Sequence, residues 1–406
     1  MSTMSIKSPV GPGSPELEAL LATIAEGAAE RDRDRVAPHE QIALIREAGL
    51  GRLRLSVADG GAGARVRELF STLIALAAAD SNVAHILRTH YSFVEQQLQN
   101  RDASSRARWF GLIAADEVFG NAISEQGDRG VGEPFHTTLS SDPKGGGYRL
   151  DGTKYYSTGT LYATYTQVLA STPAGDRIVA ATIPVDREGV TIVDDWDGFG
   201  QRLTGTGTTL LDAVRVEPHE VSDFGPVDGE RPPTYQGAVL QLYLQAVTAG
   251  ILRAIRDDAA ALVHRRRRSF DHVEHRIPAQ DPQYLQVVGT IAADAFAAEA
   301  IVLAAADAIQ VAADSVGADG LPSPDAARDA QLAAAQAKVA VDGFAARTAT
   351  ALFDAGGASA TRSAYNLDRH WRNVRTISTH NPAHWKATVV GDHLVNGVAP
   401  PNNGLF

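Results

Sequence analysis

The chain has no cysteine. Disulfides, thiolate metal sites, cysteine-ligated iron–sulfur clusters and cysteine nucleophiles are therefore excluded. It also lacks an uninterrupted apolar run of the eighteen or so residues that a membrane-spanning helix needs. Positive charge is scarce: 37 Lys and Arg stand against 48 Asp and Glu, a net charge of −11, so neither nucleic acid nor an anionic membrane is an expected partner. No phosphate-binding P-loop is present, and no G-x-G-x-x-G follows a strand; Gly127-Asp128-Arg129-Gly130-Val131-Gly132 has the reversed spacing. A nicotinamide cofactor thus has no visible seat. The opening stretch, Met1 to Pro15, is rich in Gly, Ser and Pro without the apolar core of a signal peptide. It reads as a disordered leader, and a cytoplasmic location is expected.

With 406 residues, 44% hydrophobic and 21% charged, the chain has the composition of a folded soluble protein of two or three packed parts. Residues 16–117 read as helical. Leu17, Leu20, Leu21 and Ile24 recur at helical spacing, as do Ile42 and Ile45, and Gly49 is placed to end a helix. Asp80-Ser81-Asn82 starts a helix carrying His90 and Tyr91. From 118 to 217 the pattern becomes β. Tyr148 to Tyr156 reads as a hairpin around Asp151-Gly152, and strands are expected over Gln167 to Ser171, Arg177 to Pro184, Val190 to Val193 and Leu210 to Val216. Residues 218–406 return to helix. Ala-rich segments run from Tyr235 to about Arg268, Asp281 to about Ser315 and Pro324 to Phe353, the pattern of a four-helix bundle whose small-residue faces suit packing between subunits. The fold class is mainly α with a central β domain.

Near the C-terminus, Arg369 to Pro382 packs three arginines, two histidines, a Trp and two asparagines into fourteen residues. Arginines bind phosphate bidentately and histidines move protons near neutral pH. Asn381-Pro382 should end the helix, since the residue before proline is pushed out of the α region. A solvated basic helix terminus, favoured by the helix dipole, accounts for the composition equally well. His380 and His384 have metal-ligand spacing, but Pro382 lies between them with no carboxylate near, so no metal is expected.

Several motifs carry a resemblance. Gly120-Asn121-Ala122-Ile123-Ser124-Glu125, then Asp151-Gly152-Thr153-Lys154-Tyr155-Tyr156-Ser157-Thr158-Gly159, then Trp196-Asp197-Gly198-Phe199-Gly200-Gln201-Arg202 with Thr204-Gly205-Thr206-Gly207-Thr208, and finally Phe353 to Ala358 before Arg369 to His380, occur in this order. In these the chain resembles the acyl-CoA dehydrogenase superfamily over nearly its whole length, and within it the flavin-dependent monooxygenase branch. The resemblance implies an N-terminal helical domain, a middle β-barrel domain and a C-terminal four-helix bundle, assembled as a homotetramer. It implies reduced FMN, with FAD as the alternative, contacted by Asn121, Ser124, Ser157 and Thr158 and covered by Trp196. It places Arg267 and Arg268, or Arg369 and Arg372, at the phosphate. Arg267 and Arg268 precede Ser269-Phe270, similar to an Arg-x-x-Phe-Gly element with Asp271 in place of the glycine. His90 and His380 become the catalytic pair, with Tyr91 and Asn381 at the substrate.

One departure decides between branches. The dehydrogenases need a carboxylate base, in many members just after the segment equivalent to 369–380, and here no Asp or Glu occurs from 369 to 391. The resemblance therefore implies a two-component monooxygenase. Reduced flavin, supplied by a separate NAD(P)H:flavin reductase, reacts with O2 through a C4a-hydroperoxyflavin and oxygenates a small apolar or aromatic substrate at sulfur, nitrogen or carbon. The alternatives are an acyl-CoA dehydrogenase or oxidase with bound FAD, and a non-catalytic flavin-binding protein.

Overall fold

The computed structural model describes residues 9–127, 133–143, 145–229, 231–268, 277–402 and 406. Residues 1–8 of the expected leader, Asp128 to Gly132, and Ser269-Phe270-Asp271 lie outside them. Seven α-helices come first: α1 (Pro15–Ala25), α2 (Ala28–Asp34), α3 (His39–Glu47), α4 (Val66–Ala79), α5 (Ser81–Ile86), α6 (Arg88–Leu98) and α7 (Ala103–Ala114). Their starts follow local chemistry: Ser14 Oγ accepts from Leu17 N at 3.2 Å, and Asp80 accepts from Asn82 N at 3.0 Å and Val83 N at 3.4 Å. Gly49, just past α3, takes the left-handed conformation expected of a helix stop. The helix expected to carry His90 is broken at Leu87, so α5 and α6 are separate.

Eight strands follow: β1 (Phe119–Ala122), β2 (Thr138–Ser141), β3 (Tyr148–Lys154), β4 (Tyr165–Ser171), β5 (Arg177–Pro184), β6 (Val190–Val193), β7 (Thr208–Val216) and β8 (Val221–Pro226). They form one sheet in the order β6-β7-β3-β2-β4-β5-β8, with β1 added in parallel on β4. The last strand lies beyond residue 217, where a change to helix was expected. The expected hairpin at Asp151-Gly152 is instead one continuous strand with a register shift against β7 between Leu150 and Gly152. Gly152 has φ +153°, and a Cβ there would stand 2.4 Å from Thr137 Oγ1. An Asp-Gly pair signals a local bend, and here the bend is a bulge closed by Ala213 N donating to Asp151 Oδ1 at 2.7 Å.

Five helices complete the chain: α8 (Gln236–Arg265), α9 (Pro282–Asp314), α10 (Pro324–Gly356), α11 (Asp368–Ser378) and α12 (Ala383–Asn396). One apolar cluster runs unbroken from α1 and α4 through α8, α9 and α10, while the sheet has its own core around Val168, Ala181 and Val214. Helices α8 and α9 are long and apolar enough to cross a membrane by length and composition; the apolar window of α8 is 83% buried in the protein, that of α9 only 22%. Asp294, Glu299 and Asp307 nonetheless tie α9 to Arg347, Arg253 and Arg67 of neighbouring helices.

The end of β1 is pinned to β3 by a buried ion pair. Lys154 Nζ is fully buried and donates to Glu125 Oε1 at 2.7 Å and to the Ile123 carbonyl at 3.1 Å. Burial pushes the Lys154 pKa down to about 8. Burial also works against the Glu125 carboxylate, but hydrogen bonds from Lys154, Thr137 and His136 outweigh it and hold the carboxyl down at about 2. Removing one partner of such a pair strands the other charge, at a cost of about 3 kcal/mol. Glu125→Gln is therefore expected to lower the thermal unfolding midpoint by several degrees, and Glu125→Gln with Lys154→Met to recover part of the loss. An unshifted midpoint in the single variant contradicts this.

Candidate active site

Helix α11 is where the distant parts of the chain meet. Its inner face carries His370, Asn373, Val374 and Ile377, all buried. Asn373 Oδ1 accepts from Gln201 N at 2.7 Å, and Asn373 Nδ2 donates to Ser81 Oγ at 3.1 Å. The turn bearing Gln201 lies so close that a Cβ on Gly200 would stand 2.1 Å from the Arg372 carbonyl. Gln201 itself is held at φ +51°, a left-handed conformation that a non-glycine residue adopts only when its surroundings insist.

Two expected phosphate ligands are used up in this junction. Arg372 donates from Nη2 to Asp32 Oδ2 at 2.8 Å and to Asn366 Oδ1 at 2.8 Å, from Nε to Asp368 at 2.8 Å, and from Nη1 to the Phe199 carbonyl at 3.0 Å. Arg369 pairs with Asp258 at 3.4 Å, beside His370 Nε2 at 2.8 Å from the same carboxylate. Every nitrogen of Arg372 is bonded within the chain, so its assignment to the phosphate is corrected to a structural one, while Arg369 is also held by the Asn366 carbonyl at 3.1 Å. Arg267 and Arg268, just past the end of α8, are exposed in the single chain.

The residues expected at the flavin ring form a ledge between the sheet and α11. Tyr155 N donates to the Ser124 carbonyl at 2.8 Å, which brings the segment after β1 alongside Tyr156, Ser157 and Thr158. Thr158, Thr206 and Thr204 form a hydroxyl chain, with Oγ1 separations of 2.9 and 2.6 Å. Ser157 differs from them: its Oγ is buried and has no hydrogen-bond partner among the described residues. A buried hydroxyl left unbonded is costly, and a ring nitrogen or carbonyl of a flavin is the kind of group that would satisfy it. Asn121 is half-buried on β1. Trp196 is half-buried, donates from Nε1 to the Gly200 carbonyl at 3.3 Å, and meets the exposed Tyr156 ring edge-on at 6.1 Å. The donor set fits a flavin ring.

The histidines divide differently from expectation. His90 is completely buried; Phe119 N donates to its Nδ1 at 3.3 Å, so its Nε2 carries the proton and donates to the Gly51 carbonyl at 2.7 Å. Both ring nitrogens serve the backbone, and His90 is a core residue rather than a catalyst. Tyr91 is also buried, its hydroxyl bonded to the Leu50 carbonyl, so its substrate role is likewise corrected. His380 and Asn381 stand in the turn between α11 and α12. Asn381 Nδ2 donates to Gln241 Oε1 of α8 at 2.8 Å. His380 is exposed at the surface of the single chain, with Arg88, His85, Lys338 and Lys386 around it. Burial there pushes its pKa well below the usual value, and positive charge at Arg88, Lys338 and Lys386 pushes it further down.

His85 was missed by sequence reasoning. It is 8% exposed, and its Nδ1 lies 2.9 Å from Gln201 Oε1. Gln201 Nε2 donates to Ser81 Oγ at 3.4 Å, so its Oε1 faces His85 and accepts the Nδ1 proton. The His85 Nε2 lone pair is left unprotonated. A signal was available: Ser81 and His85 are one helical turn apart, directly after a legible N-cap, and so share a face. Two hollows at the surface, of about 390 Å³ beside Leu17 and Arg253 and about 330 Å³ beside Phe199 and Arg372, include neither His85 nor His380.

Comparison with known proteins agrees with this fold. Residues 242–385 match the family described as acyl-CoA dehydrogenase, C-terminal domain. The chain is 28% identical over 384 residues to dibenzothiophene monooxygenase of Rhodococcus erythropolis, covering 92% of this chain and 90% of that protein. It superposes on FMN-bound TdsC from Paenibacillus sp. A11-2 with a TM-score of 0.87 at 26% identity, covering 96% of this chain and all of the other. Methanesulfinate monooxygenase MsuC from Pseudomonas fluorescens gives a TM-score of 0.86, also at 26% identity, over 97% of this chain and 100% of that one.

Two outcomes are expected. Burial pushes His85, His90 and His370 down to about 4, against 6.5 for the free side chain. The unfolded chain then binds protons below pH 6.5 that the folded chain does not, so stability is full above 6.5 and is lost as pH falls toward 4. Each group contributes up to about 3 kcal/mol to that loss. A thermal midpoint unchanged from pH 7 to 4.5 contradicts it. Arg372→Ala strands the buried Asp32 carboxylate and should cost about 3 kcal/mol while leaving FMN affinity unchanged below the unfolding range, measured by flavin fluorescence.

Proposed function

We propose that this chain, whose fold is that of the acyl-CoA dehydrogenases, is a flavin-dependent monooxygenase that uses reduced FMN and O2 to oxygenate a small organic molecule at sulfur, nitrogen or an aromatic carbon. One observation carries the choice against dehydrogenation: from 369 to 391 there is no carboxylate, and the position after α11 is held by His380. Proton abstraction from an activated thioester needs a carboxylate base of that kind. A neutral imidazole suits a reaction in which a hydrogen bond must be offered or a proton taken without a fixed charge.

The bound flavin supplies the activation of oxygen. The protein's own groups do the rest. Ser157 Oγ offers a hydrogen bond to the ring, with Thr158 and Asn121 beside it and Trp196 at the edge. His85, oriented through Nδ1 by Gln201, presents Nε2 as an acceptor. His380 is positioned by the Asn381–Gln241 bond and is neutral at physiological pH because it is crowded by protein and by cations. The recess between α5, α8 and the α11–α12 turn is the substrate site of this reading.

Reduced flavin arrives from a separate NAD(P)H:flavin reductase, since the sequence offers no nicotinamide seat. The working form is a homotetramer in the cytoplasm. Self-association is supported by the outward apolar row of α9, where Leu285, Phe296 and Val311 are exposed in the single chain. Arg267 and Arg268, exposed past α8, are then the cations available to a phosphate bound near a neighbouring subunit.

The test is oxygen consumption with NADH, FMN and a flavin reductase over a panel of sulfides, sulfinates, indoles, phenols and amines, with product mass read for one added oxygen atom. Turnover should fall roughly a hundredfold or more in His380→Ala and about tenfold in His85→Ala, while His90→Asn loses stability rather than rate. Since His85 titrates near 4, the pH–rate profile should show no inflection at 6.5. A protein that is yellow as purified and is reduced by an acyl-CoA without any reductase would sink this reading in favour of a dehydrogenase.

A further inference from the structure

Arg88 is a buried charge that the chemistry above leaves unused. It opens α6, one turn past His85, and is 7% exposed. Its Nε donates to the Leu240 carbonyl of α8 at 3.1 Å. Among the described residues its two terminal nitrogens have no partner and no carboxylate pairs with it. The other well-buried arginines are all matched: Arg31 with Asp80, Arg52 with Asp116, Arg54 with Glu95, Arg372 with Asp32. Burying a cation without a counter-charge is expensive, and a fold keeps such a group where an opposite charge visits.

This guanidinium lies beside both histidines of the proposed site, since its charge acts on His85 and on His380. Leu240, which it holds, adjoins Gln241, and Gln241 accepts from Asn381, the neighbour of His380. His85 lies three residues before Arg88, across the break at Leu87. Nearby Lys338 is neutralised by Asp342 at 2.7 Å. One turn beyond Gln241 on α8, Gln245 is completely buried with both its amide oxygen and its amide nitrogen unbonded. An uncompensated guanidinium asks for a ligand with negative oxygen atoms. Burial also lowers the Arg88 pKa to about 10, which leaves it charged at every physiological pH.

We infer that the recess selects an organic anion, with a carboxylate or sulfinate group held bidentately by the terminal nitrogens of Arg88. This rests on the reading above only in taking the recess as the substrate site. It narrows that reading from neutral arenes and sulfides to small acids. The fork of a guanidinium matches two oxygens on one centre, and a desolvated pair of this kind is stronger than an exposed one.

Binding to the full-length, FMN-loaded protein by titration calorimetry tests the inference without oxygen or reductase. The probes are sodium benzenesulfinate, sodium benzoate and the neutral methyl phenyl sulfone, at pH 7. An anion should bind at least about tenfold more tightly than the sulfone, and whichever anion binds better names the group. Arg88→Leu should weaken the anion by roughly thirtyfold or more and leave the sulfone unchanged, with Arg88→Lys between. The thermal midpoint of Arg88→Leu should hold or rise, since it removes an uncompensated buried charge; a purely structural arginine would lower it. If that variant does not fold, Arg88→Lys and the wild-type anion-to-sulfone ratio decide. Equal affinity for anions and sulfone, no binding of either anion, or undiminished anion binding in Arg88→Leu overturns the inference. Anion binding with no reductase-dependent oxygenation of any substrate overturns the monooxygenase reading instead, so the two fail separately.

Discussion

The hydrogen-bonded junction around Gln201 is the constraint on which the site depends. Three segments far apart in sequence converge there: Ser81 and His85 from the N-terminal helices, the Gly200-Gln201 turn from the sheet, and Asn373 from α11. The bonds are buried, so each unmet donor or acceptor would carry the full cost of desolvation. That cost sets the position of the sheet against the bundle and fixes the tautomer of His85. It also explains why a non-glycine residue tolerates a left-handed backbone at this point. Beside it, Arg372 closes the same junction from outside by binding Asp32, Asp368 and the Phe199 carbonyl.

The electrostatics of the recess follow from that packing. Burial and neighbouring cations keep His85 and His380 neutral, while Arg88 stays charged. A neutral imidazole beside a fixed positive charge can exchange a proton or a hydrogen bond with a reacting group, and an anionic substrate restores local charge balance. His90, five residues from His85, shares the low pKa but not the setting: both its nitrogens are consumed by backbone groups. A shifted pKa by itself therefore does not separate a site histidine from a core one; the partners do.

Much of the architecture was legible. Helical spacing, N-caps and the Ala-rich runs located the helices. Strands β5 and β6 have the bounds that alternation and β-branching imply, Arg177–Pro184 and Val190–Val193. The errors came where local chemistry has two outcomes. Asp151-Gly152 bends a chain, and only the position of Thr137 and Ala213 decides that the bend is a bulge rather than a turn. A histidine next to a tyrosine on a helix suggests a pocket, and only the approach of Gly51 and Phe119 shows that the ring faces the core.

The sequence by itself determined the order of helix, sheet and bundle, the missing carboxylate after α11 and the order of the motifs that carry the resemblance, because these are properties of spacing and residue type. Only the tertiary structure decided which charges are spent and which are available. Arg369, Arg372, His90 and Tyr91 look chemically capable in the sequence, yet their hydrogen-bonding capacity is taken by carboxylates and carbonyls contributed from elsewhere. Arg88 and His85 look ordinary, yet folding buries them with capacity to spare. Hydrogen bonding in a dry interior is a matter of which groups meet, and residues more than a hundred positions apart meet only in the folded chain.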